Sequence, residues 1–179
     1  MKGALGMGQT RFHLGMRTFK TGLSFFLIAL LYDLFSTHSP QIAALSAGFS
    51  QRTDFQSTNK YGRHRIFGNF IGGLMALLCV SLMTLFPNWQ IFSYLFPALG
   101  VMLTIILGNA FNSSQAIVGS IAIYTIVLYS IPDQERILYV FWRLVDTLVG
   151  AAVALFVEWA LSRERVDAVK SFFDKISKA

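Results

Sequence analysis

Long apolar segments constrain the fold of this chain more than any other feature of its sequence. A helix needs about 20 mostly apolar residues to cross a hydrocarbon core that is ~30 Å thick. Five segments have roughly this length, at residues 16–35, 66–86, 91–111, 115–131 and 137–161. Only 13% of the residues are charged, whereas an average soluble domain has about 25%. The sequence therefore predicts an all-α membrane protein.

A sixth, shorter helix is predicted over residues 40–50. Ser39 and Pro40 form a helix-start signal, with serine as the N-cap and proline at the first helical position. The segment has only 11 residues, the length expected of a buried or re-entrant segment. A short helix is tolerated at membrane depth when protein, not lipid, surrounds its backbone. We therefore expect six transmembrane helices.

The positions of the basic residues predict the orientation of these helices. A net charge of +6 could by itself indicate nucleic acid, a membrane surface or an anionic ligand. With six spans, 13 of the 15 Lys and Arg fall on the side that holds both termini. Arg136 is the one cation on the other side, and Arg143 lies inside a span. Because cytoplasmic loops collect Lys and Arg, we expect a multi-pass protein of the bacterial inner membrane, with both termini in the cytoplasm and no nucleic-acid partner.

The chain divides into a membrane domain and a tail. Residues 1–161 are predicted to form the six-helix transmembrane domain, and residues 162–179 a cytoplasmic tail. Four apolar residues of the tail share one helical face opposite its charges: Val166, Val169, Phe173 and Ile176. This pattern indicates a short amphipathic helix on the membrane surface or against a partner, with a frayed, solvated end as the alternative.

The third and sixth predicted spans begin with similar sequences. RIFGNFIGGLMAL at residues 65–77 aligns without gaps with RLVDTLVGAAVAL at residues 143–155. An arginine, a polar residue four positions later and a glycine seven positions later recur after 78 residues. Two halves of three spans each must have opposite orientations, because three is odd. The sequence thus predicts two inverted three-helix repeats, an arrangement that recurs in transporters.

Arg143 is the residue that points most directly to a function. Its predicted depth in the last span makes its charge costly, by about 2.5–3.5 kcal/mol on insertion scales, unless it meets water or a partner. Asp146, three positions later, could neutralise it along the helix, and Arg143 would then be only a structural clamp. The alternative is a cation that faces a pathway and recognises a carboxylate through its forked donors.

Further polar residues share the helical stripe of the two arginines. Arg65 is either a pathway residue or an anchor at the membrane surface. Asn69 could hydrogen-bond between helices or line a passage. Together with Arg143 and Asp146, these two residues and Thr147 form the predicted substrate-binding set.

Small residues in the two aligned segments predict close helix packing rather than ligand binding. They are Gly68, Gly72 and Gly73 in the first repeat and Gly150, Ala151 and Ala154 in the second. His13, His38 and His64 are isolated, and the single cysteine, Cys79, lies in an apolar run. We therefore expect no metal site, no cofactor and no enzymatic activity.

Four blocks of the sequence resemble the aromatic acid exporter family: GMRTFKTG at residues 15–22, PQIAAL at 40–45, RIFGNFIGG at 65–73 and RLVDTLVG at 143–150. That family belongs to the fusaric acid resistance protein-like superfamily, which also includes the plant aluminium-activated malate transporters. The resemblance implies a six-helix membrane domain, homodimeric in the characterised plant branch, that moves organic anions such as aromatic carboxylates out of the cell. It also implies that Arg65 and Arg143 line the anion path.

Two functions remain open at this point. The first is a membrane exporter or channel for organic anions, driven by the membrane potential or a proton gradient. The second is a non-transporting scaffold or partner subunit that binds anionic lipid or another membrane protein. The two differ in whether water and anions reach Arg143.

Overall fold

A computed structural model describes residues 15–35, 39–52, 54–86, 90–111, 113 and 116–162. Within these ranges the chain forms six α-helices and no strand, which confirms the all-α prediction there. The helices are α1 (Met16–Phe35), α2 (Gln41–Ser50), α3 (Phe55–Leu85), α4 (Gln90–Ala110), α5 (Ile117–Tyr129) and α6 (Arg136–Ala160). A short 3-10 helix at Asp133–Glu135 leads into α6.

Four of the helices in the described ranges are long and apolar enough to cross a membrane: α1, α3, α4 and α6. The other two are shorter, with 13 residues in α5 and 10 in α2. At 1.5 Å per residue, 13 residues extend about 20 Å, less than the thickness of the hydrocarbon core. The six-span, two-repeat arrangement therefore stays a prediction. The predicted tail helix falls almost wholly on residues 163–179, outside the described residues.

Helix α3 begins 11 residues before the apolar segment predicted from hydropathy. Its N-terminus is capped by Asp54, whose side chain accepts a 2.8 Å hydrogen bond from the backbone N–H of Ser57. This cap satisfies one of the free N–H groups of the first turn. The helix has 31 residues, about 46 Å, so its polar first three turns extend beyond the length that a bilayer core can cover.

The start of α2 lies one residue later than predicted. Pro40 occupies the N-cap position instead of the first helical position, and its carbonyl oxygen accepts from the backbone N–H of Ala44 at 2.9 Å. The proline still sets the start of the helix, because it has no N–H to leave unsatisfied.

The helices pack around a central contact between α3 and α6. Helix α3 also packs against α5 and α4, and α6 packs against α2 and α1. One apolar cluster joins α1, α2 and α6 around Ile28, Ala43 and Val153, and a second joins α3, α5 and α6 around Cys79 and Ile123. The two clusters lie on either side of the α3–α6 contact.

Small residues allow the closest contacts. A Cβ on Gly72 would lie 2.2 Å from the backbone oxygen of Ser120 in α5, and one on Gly150 would lie 2.1 Å from the backbone oxygen of Ala43 in α2. Both distances are far below van der Waals contact, so only glycine fits at these positions. Four more of the residues with a predicted packing role are buried between helices: Gly68, Gly73, Ala151 and Ala154.

The distribution of polarity suits a lipid environment. Large apolar side chains cover the outside of the bundle, with Phe35 82% and Val118 80% exposed. Polar and charged side chains, among them Ser24, Thr58 and Ser120, are buried inside. In water this arrangement would be unfavourable, whereas in a bilayer the polar groups find their partners only within the protein.

Candidate functional site

Arg143 lies inside the bundle, on the face of α6 that turns toward α3. Its side chain is only 6% exposed. One guanidinium nitrogen, Nη1, donates a 3.2 Å hydrogen bond to the hydroxyl of Tyr139, one turn earlier. The Nε–H is buried and has no hydrogen-bond partner in the described part of the chain. An unmatched donor on a buried cation is costly, so this Nε–H is an unsatisfied polar group of the interior.

Asp146 does not neutralise Arg143 through a direct contact. Its carboxylate accepts a hydrogen bond from the hydroxyl of Tyr32 in α1, and no salt bridge joins Asp146 to Arg143 in the described structure. The clamp considered from the sequence spacing is therefore not formed. Asp146 is 8% exposed, and its bond with Tyr32 joins the last turn of α1 to α6.

The contact between α3 and α6 contains a buried hydrogen bond between the two residues that the sequence alignment pairs. Asn69 Nδ2 donates to Thr147 Oγ1 at 2.6 Å. Thr147 Oγ1 in turn donates to the backbone oxygen of Arg143 at 2.7 Å, and its own backbone oxygen accepts from Ser46 of α2 at 2.9 Å. This chain of bonds ties three helices together at one level.

The side-chain carbonyl oxygen of Asn69 accepts no hydrogen bond within the described structure. Its Oδ1 is buried without a hydrogen-bond partner among the described residues. A Cβ on Gly119 of α5 would lie 3.5 Å from this oxygen and 3.6 Å from Arg65 Nη1. Asn69 and Arg65 therefore approach the same point of α5, where the absence of a side chain leaves space.

Arg65 occupies the other side of the Asn69–Thr147 bond from Arg143. It is partly buried, its guanidinium carbon lies 4.6 Å from the centre of the Phe49 ring, and its Nε is buried without a partner in the described chain. Two like charges thus lie in the same interior, and the nearby carboxylates of Asp146 and Glu135, which line a pocket beside Arg143, form no salt bridge with either arginine in the described structure.

An open pocket reaches Arg143 from the end of the bundle where α6 begins. It has a volume of about 320 Å³, and its wall includes Tyr139, Trp142, Arg143 and Asp146 together with Gln41 of α2. This volume is at the lower end of the range typical of small-molecule pockets. Arg143 is therefore buried in the bundle yet borders a space that a small solute can enter.

The structure also contains a buried ionic network that the sequence patterns did not reveal. Lys20 Nζ of α1 forms a 2.7 Å ion pair with Glu158 Oε1 of α6, at 2% and 3% exposure. Gln51 Nε2, just after α2, donates to the other carboxylate oxygen at 2.9 Å, and Ser24 Oγ donates to Gln51 Oε1 at 3.3 Å. The sequence feature that could have indicated this network is the pair of opposite charges near the predicted inner ends of the first and last spans.

The described residues contain no group of three His, Cys, Asp or Glu side chains arranged to hold a metal ion.

The predicted substrate-binding residues divide into two kinds. Arg65, Asn69 and Arg143 carry unmatched polar atoms. Asp146 and Thr147 are engaged in hydrogen bonds to other helices.

Comparison with known families decides the classification of this arrangement. The sequence model described as "Fusaric acid resistance protein-like" matches residues 26–157, about three quarters of the chain. The chain belongs to this family. As a member of the fusaric acid resistance protein-like family, the chain is a membrane protein related to transport. No curated protein and no solved structure gave a significant match.

The matched region of this fusaric acid resistance protein-like chain contains the whole α3–α6 contact. Arg65, Asn69, Arg143 and Thr147 all lie within residues 26–157. Lys20 and Glu158 both lie just outside it. The polar site at the helix crossing is thus part of the region that defines the family.

Proposed function

We propose that this protein is an exporter or channel for organic anions, with aromatic carboxylates as the substrate class. The observation that carries the proposal is a pair of interior arginines, partly buried Arg65 and buried Arg143, whose Nε–H groups have no partner in the described chain. They lie on opposite sides of the Asn69–Thr147 hydrogen bond, each four residues from it, or about 6 Å along its helix. An anion that moves along the bundle would meet one arginine and then the other.

The choice of a carboxylate follows from the chemistry of the guanidinium group. Its planar donors match the two oxygens of a carboxylate, and hydrogen bonds to charged groups are the strongest that a site of this kind offers. The pocket beside Arg143 also has an aromatic wall formed by Tyr139 and Trp142, and a flat ring fits against such a surface.

The direction and energy source follow from the charge of the substrate. An inside-negative membrane potential favours the outward movement of an anion by about 2.3 kcal/mol per charge per 100 mV. A proton gradient is the other available source. Both termini are proposed to lie in the cytoplasm of a bacterial cell, so that Arg65 is nearer the inner end of the path and Arg143 nearer the outer end.

The proposal includes two inverted three-helix repeats and assembly as a homodimer. The repeats are supported by the hydrogen bond between Asn69 and Thr147, which occupy equivalent positions 78 residues apart. They are also supported by the glycines at the next equivalent positions: Gly72 packs on α5, and Gly150 packs on α2, the middle helices of opposite halves. The homodimer follows from the resemblance to the aromatic acid exporter family.

The decisive experiment is the flux of a labelled aromatic carboxylate, such as benzoate, through proteoliposomes under an imposed potential. Arg143→Gln removes the buried cation, and Arg136→Gln removes a cation from the first turn of the same helix, where Arg136 pairs with exposed Asp133. Since a hydrogen bond to a charged group contributes about 1.5–3 kcal/mol, Arg143→Gln should reduce flux about tenfold or more. Arg136→Gln should leave it nearly unchanged. Equal fluxes in both variants, at equal protein abundance, would show that Arg143 is structural.

A second measurement distinguishes a transporter from a scaffold that binds lipid or another protein. Single cysteines introduced between positions 143 and 158, in a Cys79→Ala background, are treated with a water-soluble thiol reagent. Reaction along one helical stripe that contains positions 143, 147 and 154 supports a water-filled path. Reaction only at the two ends of the helix supports a scaffold and contradicts transport through this site.

A further inference from the structure

A second site lies along the first half of α3, away from the α3–α6 crossing. Two cavities meet there and share Arg63 and His64 in their walls. The first, of about 370 Å³, is bounded by polar and basic side chains that include Asn59 and Lys60. The second, of about 600 Å³, continues from Arg63 toward the middle of the helix. The two together form one groove with a basic end and an apolar end.

The basic end offers cations and hydrogen-bond donors, with no carboxylate among the described residues of its lining. Lys60 and Arg63 are exposed one turn apart on α3. His64 is held in place by a 2.8 Å hydrogen bond between its Nδ1 and the hydroxyl of Ser113. None of the described residues that line either cavity is acidic. This end therefore attracts a negatively charged group, and a phosphate is the group that Lys and Arg bind most readily together.

The apolar end has the character of a surface for a hydrocarbon chain. Phe67 and Phe70 of α3 form one side, and Leu144 and Leu148 of α6 form the other. Phe70 and Leu148 are each about half exposed, so the groove opens outward to the bilayer instead of inward to the bundle. From Arg63 to Phe70 the groove follows about 10 Å of helix.

The depth of the groove matches the depth of a phospholipid. Arg63 lies three residues before the uncharged stretch 66–86, and Lys60 lies one turn further out. These two side chains are thus at the level of the headgroups, on the side of the membrane to which most Lys and Arg of the chain are assigned. Anionic lipids of the cytoplasmic leaflet attract basic residues at that level.

We propose that this groove binds an anionic phospholipid of the cytoplasmic leaflet, with its phosphate between Lys60 and Arg63 and one acyl chain between α3 and α6. The combination favours an amphiphile over a peptide or a second copy of the chain, because the charge and the apolar surface meet at the depth where a lipid headgroup joins its chains. The bound lipid would contact α6 at Leu144, the residue next to Arg143.

Native mass spectrometry of the full-length protein tests the proposal, with phosphatidylglycerol and phosphatidylcholine added separately to the detergent solution. Phosphatidylglycerol should bind more tightly than phosphatidylcholine. Arg63→Gln should weaken phosphatidylglycerol binding about fivefold, the loss expected for one basic side chain at an anionic surface. Arg17→Gln is the matched control, because it removes an exposed cation on α1, which contributes no described residue to the groove. It should leave binding unchanged.

A second variant tests the apolar end of the groove. Leu148→Trp places a larger side chain at a half-exposed position, so it should fold and yet reduce binding of both lipids. Equal effects of Arg63→Gln and Arg17→Gln would overturn the proposal. So would full competition by inorganic phosphate, which would show that no acyl chain is needed. Loss of a dimer in Leu148→Trp, without any loss of lipid, would show that the groove is a subunit interface.

Discussion

The buried ion pair between Lys20 and Glu158 gives a prediction whose size can be worked from the structure. At 2.7 Å and an effective dielectric constant of about 20, two unit charges attract each other by about 6 kcal/mol. Desolvation offsets several kcal/mol for each ion, so the pair adds little net stability. Removal of one partner, however, leaves an uncompensated charge that is almost fully buried. Lys20→Met should therefore lower the free energy of unfolding by about 3–5 kcal/mol.

The double variant separates this explanation from a simple loss of packing. Lys20→Met combined with Glu158→Leu removes both charges, and its stability should return to within about 2 kcal/mol of the parent protein. Reversible unfolding by sodium dodecyl sulfate in mixed micelles, followed by circular dichroism, measures all three variants. If the two single losses simply add in the double variant, the two side chains do not interact and the reasoning is wrong.

An exposed ion pair in the same protein provides the control. Arg136 and Asp133 form a 2.6 Å contact in which Asp133 is 75% exposed. Asp133→Asn should change the free energy of unfolding by less than about 1 kcal/mol, because solvent screens the exposed Asp133 carboxylate whether or not it pairs with Arg136. A loss as large as that of Lys20→Met would show that burial does not explain the difference.

Three further predictions concern contacts between helices, all measured by the same unfolding assay. Gly150→Ala should destabilise the protein by about 1–3 kcal/mol because the added Cβ meets a backbone oxygen of α2. The control Gly22→Ala should change stability by less than about 0.5 kcal/mol, because a Cβ at that position has no neighbouring atom within 4 Å. Tyr32→Phe should cost about 1–3 kcal/mol because it leaves the buried carboxylate of Asp146 without its donor. Thr147→Val should cost about 0.6–2 kcal/mol through the lost hydrogen bond from α3; no loss would show that this bond is replaced.

Local sequence patterns predicted the long helices well because hydropathy reports directly on the length of a buried or lipid-facing helix. The predicted segment 16–35 coincides with α1. The predicted span 66–86 lacks the first 11 residues of α3, because these turns are polar and are stabilised by the Asp54 cap, which hydropathy does not register. The predicted span 115–131 extends past the end of α5 at Tyr129, because apolar Ile131 was included although the helix stops before it.

The candidate site was predictable only where the sequence repeats. The alignment paired Asn69 with Thr147, and these two residues meet in the structure. Spacing along one helix suggested instead that Arg143 pairs with Asp146. It could not reveal that the hydroxyl of Tyr32, from another helix, donates a hydrogen bond to that carboxylate. Lys20 and Glu158 are 138 residues apart, so no local pattern links them. Contacts of this kind depend on the tertiary arrangement.

The placement of Gly72 and Gly150 has a consequence for the order in which the protein can assemble during synthesis. Each glycine belongs to one half of the chain, and the backbone that it contacts belongs to the other half. The first three helices therefore cannot complete their packing while the ribosome is still making α5 and α6. Membrane insertion of the early helices therefore precedes the final packing of the bundle. Until α6 has been synthesised, the polar stripe of α3 remains uncovered within the membrane.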